Sequence, residues 1–182
     1  VRELVVDVDD FHQDNHGLEL LDRIKREVPA FRATLFAVVG RCSQEFLDAE
    51  WRPRSSWLEL ACHGWIHETP RECETWDRSE SSAYLDTVDD SWRSEYYVRG
   101  FRAPGWQISD EMYEELLARG WWVADQRHNN GRRPLGLRTY LHGPELGRFH
   151  YHVQDVCGNG LAESLSEILA LAGEFRFVSE VV

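Results

Sequence analysis

The chain has 182 residues, with 20 Lys and Arg against 32 Asp and Glu, a formal charge of −12 with His neutral. That balance disfavours a partner held mainly through phosphates, such as DNA, RNA or an anionic membrane, and no apolar run approaches the roughly 18 residues that span a bilayer. At 42% hydrophobic and 29% charged, the chain reads as one globular domain over residues 1–182. It is long enough to bury roughly 70% of its unfolded surface without a disulfide or metal to help it fold.

Val1-Arg2-Glu3-Leu4 leads straight into a strand pattern, without the basic segment, apolar core and small-residue cleavage site of a signal peptide. Because the first residue is Val, an upstream segment could have been removed, and the compartment stays open with a cytosolic leaning. Cys42, Cys62, Cys73 and Cys157 lack CxxC spacing and read as reduced, buried thiols.

Residues 4–8 form an apolar run ending in carboxylates, the pattern of a buried strand. Leu18, Leu21, Ile24 and Val28 fall at three- and four-residue steps and predict a helix over 17–28, closed by Pro29. Residues 31–39 predict a second strand, ended by Gly40. Ser43 is an N-cap for a short helix reaching Glu50. Residues 57–62 predict a third strand that runs into His63. Tyr84, Leu85, Val88 and Trp92 are spaced for a surface helix over 79–92, and a fourth strand follows at 96–101. Ser109 caps a helix over 110–119, whose acidic first turn and terminal Arg119 and Gly120 suit the helix dipole. Residues 121–124 and 147–153 predict strands five and six, 161–172 a helix and 175–182 a last strand. The Gly-, Arg- and Pro-rich stretch 129–144 reads as loop. This alternation predicts an α/β fold of βαβ units around a parallel sheet of about seven strands.

Metal-capable and ionisable side chains collect at strand ends. Asp7-Val8-Asp9-Asp10-Phe11-His12 places carboxylates together, which is costly unless a cation or proton lies between them. His63-Gly64-Trp65-Ile66-His67 carries two His four apart but lacks the Glu of the zinc-protease helix, and Gly64 favours a strand entering a turn. An Asp with two His makes a three-ligand site with an open position for water. In Arg102-Ala103-Pro104-Gly105-Trp106 the Arg can orient a carboxylate, and the Gly can bring a backbone N–H close to a substrate oxygen. His150 and His152 share one face of a strand, and Asp125 ends another strand, where it could orient a His.

This order of motifs resembles the polysaccharide deacetylases, carbohydrate esterase family four. The family's T-F-D-D-G is matched by Asp7-Val8-Asp9-Asp10-Phe11, its H-S-W-T-H by His63-Gly64-Trp65-Ile66-His67, and its R-P-P-Y by Arg102-Ala103-Pro104-Gly105. Its Ala-Thr-Phe-Phe strand is echoed by Ala33-Thr34-Leu35-Phe36. The resemblance implies a distorted (β/α) barrel of about seven parallel strands that binds one divalent metal and removes acetyl from an N-acetylated sugar. By position it implies Asp10, His63 and His67 as metal ligands, Asp9 as general base and Arg102 as the residue orienting it. It also implies His152 as general acid tuned by Asp125, and the Gly105 N–H as an oxyanion donor. Zinc is the default metal for such a set, with cobalt, nickel or iron also suited to it. The implied partner is a small-molecule or oligosaccharide substrate.

The chain departs from the family at Phe11 and His12, where Gly-Pro is usual, at Gly105, where Tyr is usual, and at His150, where Leu is usual. These changes bring His12 toward the site floor, remove a side-chain wall and leave His150 and His152 as alternative acids. Trp65 and Trp106 are candidates to stack on a sugar ring, while most of the remaining Trp read as core. The readings carried forward are a deacetylase, a hydrolase of another non-peptide C–N bond such as a cyclic amide or formamide, and a non-catalytic carbohydrate-binding module.

Overall fold

The computed structural model describes residues 2–125, 136–156 and 158–182. Its central strand is β1 (Glu3–Phe11). Successive side chains in a strand point to opposite faces, so Leu4, Val6 and Val8 project one way and Val5, Asp7 and Asp9 the other. All six are buried, as in a parallel sheet covered on both sides.

The sheet adds β2 (Ala33–Ala37), β3 (Leu58–Cys62), β4 (Tyr97–Phe101), β5 (Trp122–Ala124), β6 (Arg138–Tyr140) and β7 (Arg148–His152). Their order is β6-β5-β4-β3-β2-β1-β7, and every ladder is parallel. A short β8 (Glu174–Arg176) pairs with the N-terminal part of β1. The sheet curls into a distorted (β/α) half-barrel whose end strands, β6 and β7, share no ladder among the described residues.

Helices α1 (Leu18–Glu27), α2 (Gln44–Phe46), α3 (Arg78–Asp89), α4 (Asp110–Ala118) and α5 (Leu165–Ala170) complete the layers. Three of the starts follow capping chemistry. Ser43 and Ser109 accept from backbone N–H groups of α2 and α4, and Asp77 forms a capping box with Glu80 at α3. The outer face of the sheet and the helices form the larger core. Val5, Phe36, Ala61, Trp122, Ala124, Tyr140 and Val178 form a second core inside the curl. There Phe36 and Trp122 meet edge to face, with ring centroids 6.0 Å apart. Gly100 makes room for that indole, because a Cβ on it would lie 2.0 Å from the Trp122 ring.

Three elements differ from the sequence reading. β6 lies within the stretch read as loop, most of whose earlier part, 129–135, falls outside the described residues. Its three residues show neither an apolar run nor alternation; the strand exists because it pairs with β5 and buries Tyr140. α5 starts at Leu165 rather than 161. The last predicted strand is short and gives way to a 3₁₀ turn, Val178–Glu180.

That turn seals the N-terminal end of the barrel. The Val178 N–H donates to Thr34 Oγ1 at 2.9 Å, Thr34 Oγ1 donates to Glu59 Oε1 at 2.9 Å, and Ser179 Oγ donates to Glu59 Oε2. Burial pushes the Glu59 carboxyl above its ordinary value, and the hydroxyl partners only partly oppose it.

Cys42, Cys62 and Cys73 are buried free thiols, and Cys157 lies outside the described residues. No helix among the described residues is long and apolar enough to cross a membrane.

Candidate active site

The C-terminal ends of β1, β3, β4, β5 and β7 converge on one polar centre. Asp9 and Asp10 are neighbours in β1, and a regular strand would send them to opposite faces. Asp10 instead adopts a left-handed conformation, φ 67°, where the register between β1 and β2 shifts. The irregularity turns Asp10 toward the histidines at the end of β3. Its Oδ1 lies 3.4 Å from His63 Nε2 and 3.3 Å from His67 Nε2.

Asp10, His63 and His67 offer ligand atoms that all lie within 4.8 Å of one another. The donor chemistry suits a divalent transition metal. His63 Nδ1–H donates to the Arg102 carbonyl at 2.9 Å, which leaves Nε2 with its lone pair facing Asp10. Burial alone would raise the Asp10 carboxyl, yet the two imidazoles hold it well below the usual carboxylate range. Burial alone would lower His63, yet Asp9 and Asp10 hold it above its ordinary value.

His67 is also left-handed, φ 57°, and its loop is fixed by a residue that the motif spacing does not reveal. The Glu72 carboxylate accepts from the backbone N–H of Trp65 at 3.1 Å, of Ile66 at 3.0 Å and of His67 at 2.9 Å.

Arg102 is fully buried just past β4 and ties three strands together. Its Nη1 donates to Asp7 Oδ1 and to Asp9 Oδ1, each at 2.6 Å, and its Nη2 donates to Asp125 Oδ2. The guanidinium carbon lies 4.0 Å from the centre of the Phe36 ring beneath it. Asp7 also accepts from Tyr140 Oη at 3.0 Å and from His150 Nδ1–H at 2.7 Å. Burial raises Asp7 and Asp125, but Arg102 and the partnering imidazoles hold both below the usual range.

The late histidines follow from the register of β1 and β7, in which Asp7 faces His150 and Asp9 faces His152. His152 Nδ1 is 3.0 Å from Asn159 Oδ1, and burial lowers the ring below its ordinary value despite the nearby Asp9. The expected pairing of Asp125 with His152 is not the one observed. Asp125 Oδ1 instead accepts from the His142 backbone N–H and from His142 Nδ1–H, both at 2.8 Å. Asp125 ends β5, next to β6 and the loop that carries His142, whereas His152 lies at the opposite end of the sheet.

Gly105 sits at the centre of the 3₁₀ turn Pro104–Trp106 with φ 59°, and a Cβ there would meet the Pro70 carbonyl oxygen at 1.9 Å. Trp106 is left-handed too, φ 61°, and its ring lies 5.2 Å from His142 and 5.5 Å from His150. Trp65 faces away from this group, edge-on to Tyr84 at 6.4 Å and under the Arg93 guanidinium. There it lines a cavity of about 310 Å³ with Glu72, Trp76 and Tyr84. His12 is buried with its Nδ1 accepting from the Asp14 N–H at 3.2 Å, outside the Asp10, His63 and His67 group. Trp121 and Trp122 are core residues. Sequence reasoning left Glu72, His142 and Asn159 unmarked and gave Asp7 no role. The two-residue step from Asp7 to Asp9 was the available signal for Asp7.

Neither a protein-family model nor a curated protein matches the sequence. Solved structures match its fold over nearly the whole chain. A family 4 acetyl xylan esterase from Clostridium thermocellum, in complex with a cobalt ion, is 14% identical; the match covers 99% of this chain and 90% of that one, with a TM-score of 0.64. The chitin deacetylase of the fungal pathogen Colletotrichum lindemuthianum is 16% identical, with 99% and 87% covered and a TM-score of 0.64. A CE4 family pseudoenzyme from Bacillus anthracis is 15% identical, with 98% and 64% covered and a TM-score of 0.62. The chain therefore has the fold of the carbohydrate esterase family four deacetylases, a fold that one pseudoenzyme shares.

Proposed function

We propose that residues 1–182 form a catalytic domain, a metal-dependent hydrolase that removes acetyl from an N-acetylated sugar or a similar small amide. The observation that carries this reading is the juxtaposition of two groups at one strand end. A His₂Asp donor set lies next to a second carboxylate, Asp9, whose Oδ1 is engaged by Arg102 and whose Oδ2 is 3.7 Å from His63 Nε2.

Asp10, His63 and His67 would hold the metal, with zinc the default and cobalt, nickel or iron alternatives. A divalent ion bound there supplies Lewis acidity toward the amide carbonyl and lowers the pKa of water. Asp9 takes the proton of the attacking water through Oδ2, while Arg102 orients the carboxylate by holding its Oδ1. The Gly105 N–H donates to the oxygen that gains charge in the tetrahedral state. His152 delivers a proton to the leaving nitrogen, with Asn159 fixing its ring. Asp125 acts at one remove, by holding Arg102. Trp106 supplies an aromatic face beside His142 and His150, suited to a sugar ring.

The test is acetate release from a panel of N-acetylated sugars, abolished by a chelator and restored by Zn²⁺ or Co²⁺. Asp9→Asn should lower turnover by about 10²–10⁴-fold with the metal still bound; unchanged turnover removes Asp9 as the base. One feature favours a second reading. The polar His150 occupies a place where the resembling family has Leu, which suits a different C–N substrate such as a cyclic amide or formamide. Turnover of non-sugar amides in preference to N-acetyl sugars would establish that reading. Sugar binding by calorimetry with no turnover of either class would instead establish a carbohydrate-binding module.

A further inference from the structure

We propose that Asp9, His150 and His152 form a second divalent-metal site beside that of Asp10, His63 and His67, so that the barrel end can hold two transition-metal ions. Their ligand atoms also lie within 4.8 Å of one another. Each of the three has one atom committed to an outer partner and another turned to the group. Asp9 gives Oδ1 to Arg102, His150 gives Nδ1–H to the Asp7 carboxylate at 2.7 Å, and His152 gives Nδ1 to Asn159 at 3.0 Å. A carboxylate or amide oxygen holding Nδ1 so that Nε2 faces inward is the arrangement that orients histidines in metal sites.

A second observation points to a ligand. The His150 side chain is only 5% exposed, and its Nε2 is buried without a hydrogen-bond partner, 3.9 Å from Asp9 Oδ2. A buried imidazole nitrogen left unsatisfied carries a desolvation cost that a metal–nitrogen bond removes. The carboxylate and imidazole donors suit Zn²⁺ or Co²⁺ better than Mg²⁺ or Ca²⁺.

One consequence rests on the deacetylase reading. The second ion would occupy the lone pairs of Asp9 and His152 that proton transfer needs, so turnover should rise with the first equivalent of zinc and fall with the second. Metal binding itself tests the site without activity. Native mass spectrometry of the metal-stripped chain titrated with Zn²⁺ should show two ions per chain. His150→Gln should hold one, and His67→Gln should keep the ion that His150→Gln loses. Asn159→Ala replaces no ligand but releases the His152 ring, and should weaken the second ion by about 10–100-fold, with circular dichroism checking that each variant is folded. The visible absorption of Co²⁺ should show two increments in the wild type and one in His150→Gln. A single ion in the wild type at saturating zinc, or a stoichiometry unchanged by His150→Gln, overturns the proposal. Two ions with no acetate release from any substrate would sink the deacetylase reading alone, whereas acetate release with one ion would sink only the second site.

Discussion

At the N-terminal end of the barrel, Glu59 sits among the hydroxyls of Thr34 and Ser179; at the C-terminal end, Asp7 and Asp125 sit against Arg102. All are carboxylates removed from water in one barrel, yet burial wins at Glu59 and loses at the other two. The difference is the partner. Hydroxyl donors stabilise a carboxylate less than a full positive charge does in a medium of low polarisability. The sealed end thus tolerates a carboxyl inclined to hold its proton, while the reactive end keeps Asp7 and Asp125 ionised around Arg102.

The sharpest way to break this contrast is to remove the charge at the reactive end. Arg102→Leu leaves Asp7, Asp9 and Asp125 buried without their cation and should cost about 3–5 kcal/mol in urea unfolding at neutral pH. The sign of its pH dependence follows from the lowered values of Asp7 and Asp125. Their contribution is complete above the ordinary carboxylate value of 3.8 and is lost as the pH falls toward their folded values. The deficit of the variant should therefore shrink in acid, and a deficit independent of pH would mean that packing rather than charge is lost.

Overfilling the layer between the two ends should cost less. Gly100→Ala drives a methyl into the Trp122 ring and should destabilise by about 1–3 kcal/mol at every pH, measured by the same unfolding curves. Glu72 represents a third environment, a carboxylate satisfied by backbone N–H groups. Glu72→Ala frees the loop that carries His67 and should weaken metal binding by about 10–100-fold in calorimetry, with little change in unfolding midpoint.

The smallest effect is expected at the sealed end. Glu59 has a raised value, so ionising it costs stability as the pH rises above its unfolded value near 4.5. Glu59→Gln should raise the neutral-pH melting temperature slightly, with the gain disappearing below pH 4.5. A loss at neutral pH would show that its ionised hydrogen bonds outweigh burial.

Much of this architecture was legible where local pattern and tertiary role coincide. The apolar runs of β1, β2 and β3 stand out because both faces of those strands are buried, and the capping Ser109 announces its helix. β6 was hidden because Arg138, Thr139 and Tyr140 become a strand only by pairing with β5. The metal-capable triad was readable because short spacings at strand ends bring Asp10, His63 and His67 together. Glu72, His142 and Asn159 act from loops whose distance in sequence says nothing about their distance in space. Asp125 is legible as a strand-end residue but its neighbour is not, because sequence order does not reveal that β5 and β7 lie on opposite sides of the sheet.

Asp10, His67, Trp106 and Asp125 are the non-glycine residues in left-handed conformations among those described, and all four belong to the reactive end. Each costs roughly 1–2 kcal/mol relative to a relaxed backbone, less for the two aspartates. Glycine would remove that cost at any of the four, together with the side chain the site needs there. Selection for thermal robustness alone would therefore erode these positions first, and a laboratory lineage evolved for heat resistance without an activity screen should accumulate glycine at His67 and Trp106 before its core changes.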